Sequence, residues 1–197
     1  TRGYGIGRIL VQSYEFSSSP NQFFETIARD APRGFYPHYF QGEQCYWTVV
    51  GVAGDGKEAL LNEDGALEVD KGGFIIEPFL FADGRLITWA DVDTRQDLAE
   101  AYLPIPTVRW EHESYWLSVT AFAAGPPGAS ALYARYQLEN LSPDPRHVTL
   151  YLALRPFQAV PPWQSVNMTG GVAPIRALEY ADRTIRVNQG AKTVTVL

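Results

Sequence analysis

Two clusters in this chain bring together residue types that do chemistry. The first is Trp110-Glu111-His112-Glu113. On a strand, side chains alternate between faces, so Glu111 and Glu113 share one face and Trp110 and His112 the other. Two carboxylates about 7 Å apart on one face match, by spacing alone, the pair that cleaves a glycosidic bond. An acid and a nucleophile must flank that bond from opposite sides, however, which neighbours on one strand cannot do. The pair reads as a solvated strand face with arginine partners on adjoining strands.

The second cluster is Leu154-Arg155-Pro156-Phe157-Gln158-Ala159-Val160-Pro161-Pro162-Trp163-Gln164. Proline holds φ near −65° and offers no N–H, so this stretch cannot continue as a central strand. It can hold Trp163 in one direction. A rigid aromatic beside a guanidinium (Arg155) and two amides (Gln158, Gln164) suits gripping a sugar ring. It suits docking a neighbouring domain equally well, and both readings stand.

Aromatic faces take the C–H-rich faces of pyranoses while Arg, Asp, Glu and Gln hold the hydroxyls. Five tryptophans are therefore of interest. Trp89 precedes Asp91 and Asp93, Trp110 stands between Arg109 and Glu111, and Trp163 precedes Gln164. Trp47, Trp89 and Trp116 are expected in the core, Trp163 exposed or beneath a neighbouring domain. The candidate binding set is Arg155, Trp163, Gln164 and Gln158, with Arg109, Glu111 and Trp89 behind them.

Other chemistry has no motif. The three histidines, His38, His112 and His147, lack any metal-site spacing, so no metal or other cofactor is expected. His112 reads as a core or rim residue and His147 as an exposed strand start. Cys45, the one cysteine, reads as a small buried apolar residue and can form no intrachain disulfide. There is no GxSxG, and Gly3-Tyr4-Gly5-Ile6-Gly7 lacks the spacing, preceding strand and GK[ST] ending of a phosphate loop; it reads as a flexible leader. Asn140-Leu-Ser and Asn167-Met-Thr fit the glycosylation acceptor pattern.

The elements that must position these residues are strands. Aromatics make up 13% of the chain, 17 glycines and 14 prolines punctuate it, and short alternating runs recur, an all-β signature. Asp83-Gly84 separates Phe74–Ala82 from Arg85–Ala90 as a tight hairpin turn. Asn62–Gly65 separates Lys57–Leu61 from Ala66–Val69, and Glu113-Ser114 closes Thr107–His112 on Tyr115–Phe122. Ser142-Pro143-Asp144-Pro145 reads as a fourth hairpin joining Leu132–Leu141 to Arg146–Leu154. In that pair Leu132, Ala134, Tyr136 and Leu138 face the same core as Val148, Leu150, Leu152 and Leu154. Tyr133, Arg135 and Gln137 would then share the other face with Thr149, Tyr151 and Arg155. Two helices are expected: Pro20–Arg29, capped by Ser19 with Pro20 in its first turn, and Thr94–Tyr102, stopped by Pro104.

At 197 residues the chain reads as one large antiparallel β-sandwich, able to bury roughly 70% of its unfolded surface without a staple. Residues 1–40 form a leading segment with a short helix packed on the sandwich, and residues 41–197 form the sandwich itself. The net charge is −6 with no basic run, against nucleic acid or an anionic membrane as partner. No apolar run approaches the roughly 20 residues of a membrane span. Both ends, Thr1 and the strand-like Lys192–Leu197, look cut from something longer.

Several blocks carry a family resemblance. They are Asn62-Glu-Asp-Gly-Ala-Leu-Glu68, Gly73-Phe-Ile-Ile-Glu-Pro-Phe79 and Arg85-Leu-Ile-Thr-Trp-Ala-Asp91, then Pro104–Trp110, Glu139–Pro143, Leu150–Gln164 and Gly170–Arg176. Together they resemble the β-sandwich domain of large bacterial modular proteins related to glycoside hydrolases, some labelled coagulation factor 5/8 type (discoidin-domain) proteins. That domain is similar to the galactose mutarotase-like supersandwich, which precedes a helical toroid in cellobiose and maltose phosphorylases and glucoamylase-like enzymes. The resemblance spans Gln44 to Arg176 and is most specific in Asn62–Asp91 and Arg155–Gln164.

It implies an accessory domain without catalysis of its own, bracing a helical catalytic domain of the same parent chain and contributing to the rim of its sugar site. A mutarotase places histidine and glutamate across the sugar's ring oxygen and anomeric hydroxyl, and that pattern does not map onto His38, His112 or His147. A full supersandwich is longer, so further strands are expected after Leu197. A free-standing carbohydrate-binding module and an aldose 1-epimerase-like enzyme are the alternatives. The expected setting is soluble, in a bacterial cytoplasm or periplasm.

Overall fold

Ser19 and Pro20 start the first element. In the computed structural model, which describes residues 18–164 and 168–197, helix α1 runs over Pro20–Asp30. The Ser19 hydroxyl accepts from the Gln22 N–H at 3.3 Å, and Pro20 occupies a position whose N–H would have no partner. The helix buries Ala28 and turns Phe24 into an aromatic cluster. Phe24 meets Phe157 edge to face at 4.9 Å, and Phe40 meets Phe157 at 5.4 Å. The expected helix is present, and it seats on the proline-rich loop that follows the last long strand.

Thirteen strands follow among the described residues: β1 (Trp47–Gly51), β2 (Glu58–Asn62), β3 (Leu67–Glu68), β4 (Ile75–Ala82), β5 (Arg85–Ile87), β6 (Asp93–Leu98), β7 (Pro106–Glu111), β8 (Tyr115–Ala124), β9 (Ala131–Asn140), β10 (Val148–Arg155), β11 (Ala177–Ala181), β12 (Thr184–Asn188) and β13 (Thr193–Val196). They make an all-β sandwich of antiparallel pairs. One sheet has the order β1-β2-β3-β4-β10, with β5 also on β4; the second is β6-β7-β8-β9 and the third β11-β12-β13. Val50, Leu61, Leu67, Leu80 and Ile87 of the first sheet pack on Val108, Trp110, Leu117, Val119 and Ala121 of the second. Trp110 is wholly buried, its Nε1–H donating to the Asp64 carbonyl at 2.9 Å.

Three of the expected hairpins form. Ala82 pairs with Arg85 around Asp83 and Gly84, which take φ of 51° and 78°. Leu61 pairs with Leu67, and Glu111 with Trp116.

Two expectations fail. Thr94–Tyr102 is not a helix: residues 93–98 are strand β6, paired along its length with β7 from Asp93↔Glu111 to Leu98↔Pro106, and a short 3-10 turn follows. Leu98 and Tyr102 are one apolar pair on a stretch that buries no residue, so a helix would gain nothing there. The β7 edge instead offers a ladder of backbone hydrogen bonds. Nor do Leu132–Leu141 and Arg146–Leu154 form a hairpin. β9 pairs with β8 from Tyr115↔Asn140 to Ala124↔Ala131, and β10 with β4 from Val148↔Ala82 to Arg155↔Ile75. Residues 141–147 carry the chain from one sheet to the other. Asn140 ties that crossing, accepting from Ser142 N and donating to the Asp144 carbonyl.

Of the expected inward residues, Leu132, Tyr136, Val148 and Leu150 pack on the common core, whereas Ala134, Leu138 and Leu152 remain exposed. With the strands in facing sheets, Tyr133, Arg135 and Gln137 point away from Thr149, Tyr151 and Arg155 rather than beside them. Among the described residues no helix is long and apolar enough to cross a membrane.

Candidate functional site

Strand parity builds a groove on the outer face of the β6–β9 sheet. Because β7 buries Pro106, Val108 and Trp110, it turns Thr107, Arg109 and Glu111 outward. β8 buries Tyr115, Leu117 and Val119 and turns out Trp116 and Ser118. β9 adds Arg135, Gln137 and Glu139, and β6 adds Asp97. Register sets Arg109 beside Ser118 and Ser118 beside Gln137, with Trp116 between Glu111 and Glu139. The resulting cleft has a volume of about 300 Å³. Its floor is Trp116, with the Arg109 guanidinium carbon 5.2 Å from the ring centroid, in range for a cation–π contact. Farther along the same face Phe122 and Tyr133 stack at 5.1 Å.

The charges here are unevenly matched. Arg95 Nε lies 3.0 Å from Glu111 Oε2, the cross-strand arginine partner expected for that carboxylate. Glu113 lies exposed in the turn after β7. Arg109 and Arg135 have no carboxylate partner among the described residues. The groove therefore offers two guanidinium groups, an aromatic ring, hydroxyls and an amide on one surface.

The proline-rich loop is organised differently. The Arg155 Nη1 closes on Glu77, its Nη2 donates to the Phe35 carbonyl at 2.6 Å, and its guanidinium lies 4.9 Å from the Phe157 ring. Only 15% of its side chain is exposed. Burial pushes the Glu77 carboxyl up to about 7 against the pull of Arg155. Gln158 is buried too, its Nε2 donating to the Thr169 carbonyl at 3.1 Å. Tyr39 OH donates to the Gln158 carbonyl at 3.0 Å, and Glu68 accepts from Ala159 N at 2.7 Å and Gly72 N at 2.9 Å. Trp163 stands at the tip, 55% exposed, its ring perpendicular to Tyr39 at 6.3 Å. Gln164 beside it is half-buried; residues 165–167, and with them the Asn167 acceptor pattern, lie outside the described residues, as does Gly3–Gly7.

The expected set therefore divides. Arg109 and Glu111 belong to the groove sheet. Arg155 and Gln158 tie the loop to the body, and Trp163 and Gln164 sit at its tip. Trp89 is buried as expected, under the Arg33 guanidinium at 4.8 Å. Trp116 corrects the reading that put it in the core: it is half-exposed on the groove floor. The run Tyr115, Leu117, Val119, Ala121 carried that information, because it assigns Trp116 to the opposite face.

A second constellation has no trace in sequence spacing. His38 is buried in the 3-10 turn His38–Gln41. Its Nδ1 lies 3.2 Å from Asp64 Oδ2 and its Nε2 3.1 Å from Glu63 Oε1. The ring meets Trp89 edge to face at 5.3 Å. A His38 ring nitrogen, the Cys45 Sγ and a Glu63 carboxylate oxygen all lie within 4.8 Å of one another. Burial alone would lower the imidazole pKa, but Asp64, Cys45 and Glu63 outweigh it and push it up to about 12. Burial raises the Cys45 thiol, which is therefore no ready nucleophile. His112, by contrast, stacks on Tyr115 and accepts from Ser114 N at 3.3 Å. Neither His112 nor His147 lines the groove.

No known protein family, curated protein sequence or solved structure matches this chain.

Proposed function

We propose that this sandwich is a non-catalytic accessory module of a carbohydrate-active protein, and that the groove over Trp116 is the surface that meets sugar. One observation carries the reading: Trp116 and Arg109 lie against each other on an open sheet face, among Ser118, Arg135, Gln137 and Glu139. A ring for the C–H face and a ring of donors and acceptors for the hydroxyls is what an oligosaccharide requires. The resemblance in Asn62–Asp91 and Arg155–Gln164 points the same way.

The groove is poorly arranged for glycoside hydrolysis. The carboxylates that line it, Asp97 and Glu139, stand on β6 and β9 with β7 and β8 between them, and Glu111 at its margin is paired with Arg95. Three strand spacings separate Asp97 and Glu139 by about 14 Å before their offset along the strands is counted, beyond the roughly 5–9.5 Å of a working pair. Epimerase chemistry would need a histidine, and none lines the groove among the described residues. One-dimensional NMR of anomer equilibration tests that rival: acceleration of any common hexose over buffer would establish it.

The deciding experiment for binding is calorimetric titration of the whole chain with neutral and acidic oligosaccharides. Saturable heat, lost in Trp116→Ala and in Arg109→Ala with the melting temperature kept, supports the reading. Absence of saturable binding to every sugar by the folded chain removes it.

A bracing role is favoured by a separate observation. The inward-facing Leu138 of β9 and Leu152 of β10 remain 38% and 44% exposed, on the edge strands of the two sheets. Apolar side chains left open along two edges suit a covering neighbour.

A further inference from the structure

We propose that His38, Cys45 and Glu63 form a binding site for a divalent transition metal of the zinc class, with Asp64 as the partner that orients the imidazole. The inference is independent of the sugar reading. Imidazole, thiolate and carboxylate together are a donor set for zinc, and three protein ligands leave a fourth position open.

Geometry assigns each group. Asp64 Oδ2 lies 3.2 Å from Nδ1, so the carboxylate holds the proton on that nitrogen and leaves Nε2, 3.1 Å from Glu63 Oε1, as the ligand atom. This is the carboxylate–histidine–metal arrangement found behind metal-bound imidazoles. Glu63 is fixed as well, both its oxygens accepting from Tyr46 N at 2.9 and 2.8 Å. Its side chain is 14% exposed and offers the ion a way in.

The second observation is on the ring itself. His38 is more than nine-tenths buried, and its Nε2 makes no hydrogen bond among the described residues. It is 3.1 Å from Glu63 Oε1, yet no N–H from it is aimed at that oxygen. An imidazolium would sit between two carboxylates, but its Nε2 would face Glu63 without the geometry of a hydrogen bond. A metal ion would give the buried Nε2 the directed partner it lacks. The ligand atoms span up to 4.8 Å, while Zn–N and Zn–S bonds of about 2.0 and 2.3 Å require closer approach. With His38 and Glu63 already at 3.1 Å, the closing movement falls to Cys45. The bound ion would replace the Cys45 thiol proton and any proton on Nε2, and thiolate plus carboxylate would neutralise its charge.

The test uses the whole chain, stripped with a chelator and dialysed against metal-free buffer, with Zn²⁺ alone and Co²⁺ alone as ligands. We expect one equivalent of Zn²⁺ to be retained and to raise the melting temperature. Co²⁺ should produce the near-ultraviolet absorption of a thiolate–cobalt bond, and Cys45→Ser should abolish it. Asp64→Asn should keep that absorption and bind about 10–100-fold more weakly. Should either variant fail to fold, the spectrum of the unaltered chain decides the matter. Folded chain that neither retains Zn²⁺ nor shows the thiolate–cobalt absorption overturns the proposal, as does Co²⁺ binding unchanged in Cys45→Ser.

Discussion

The guanidinium of Arg155 reaches the carboxylate of Glu77 diagonally across the β4–β10 ladder: Ala153 stands opposite Glu77, and Arg155 is two residues farther on. This ion pair lies at the end of β10, beneath the turn that launches the proline-rich loop, and the same guanidinium ties down the Phe35 carbonyl. Strand, loop and the segment after α1 thus meet at one charged group.

Removing that group should be costly. Arg155→Ala leaves Glu77 buried without its counter-ion, and loss of one partner of a buried pair costs about 3–5 kcal/mol. Urea denaturation should show an unfolding free energy lower by that amount, with a correspondingly lower midpoint. Combining it with Glu77→Gln should recover part of the loss, since no uncompensated charge remains. A loss under about 1 kcal/mol in the single variant would refute a central role for the pair.

Glu68 predicts an inverted pH profile. Burial raises its carboxyl to about 7, against the N–H groups of Ala159 and Gly72 that favour the anion. A carboxyl bound to its proton more tightly in the folded state stabilises fully below its unfolded pKa, near 4.5. That contribution is lost as pH rises through about 7, a change of roughly 3 kcal/mol. Glu77, also raised, acts in the same sense. The melting temperature should therefore fall between about pH 5 and pH 7.5. Glu68→Gln should be less stable at pH 5, because an amide cannot accept from both N–H groups at its two ends, but its profile should be flatter. A melting temperature that rises over this range would contradict the assignment.

Two glycines should respond differently to alanine. Gly34 has φ +91°, and an added Cβ would fall 1.9 Å from Thr88 Oγ1, the hydroxyl that caps the turn after β5. Gly42 has φ +83° with open space around it. Gly42→Ala should cost about 1–2 kcal/mol for the left-handed backbone alone. Gly34→Ala should add about 1–3 kcal/mol of overpacking. Equal losses in thermal denaturation would show that the Thr88 contact relaxes freely.

Trp116 and Trp163 should separate in a sugar titration. Trp116→Ala should weaken binding at least about tenfold, the value of a lost stacking contact of 1.4 kcal/mol or more, whereas Trp163→Ala should leave the affinity unchanged. If Trp163→Ala removes binding and Trp116→Ala does not, the sugar surface is the loop tip instead.

The parts of this fold readable from residues alone are those decided within a few positions. Ser19-Pro20 begins a helix because a hydroxyl and a fixed φ act on the next turn. Asp83-Gly84 reverses the chain because both residues accept positive φ. The Asp182-Arg183 turn between β11 and β12 uses the same backbone, φ 50° and 62°, without a glycine to mark it, and is not legible. Alternation in β8 specified the outward face of Trp116, a signal present and misread.

Tertiary structure decided everything that depends on a partner. Period-two patterning names the face a strand buries, not the strand it lies beside; β9 and β10, adjacent in sequence, joined different sheets, one paired along β8 and the other along β4. Arg155 became a structural tie because Glu77 was already buried beneath it, and His38, Cys45, Glu63 and Asp64 met only when the turn before β1 folded over the β2–β3 hairpin. Local backbone preferences act over a few residues and are written in the sequence. The choice among alternative ladders and charge partners is made by which surfaces can be buried together, and only the folded chain brings those surfaces into competition.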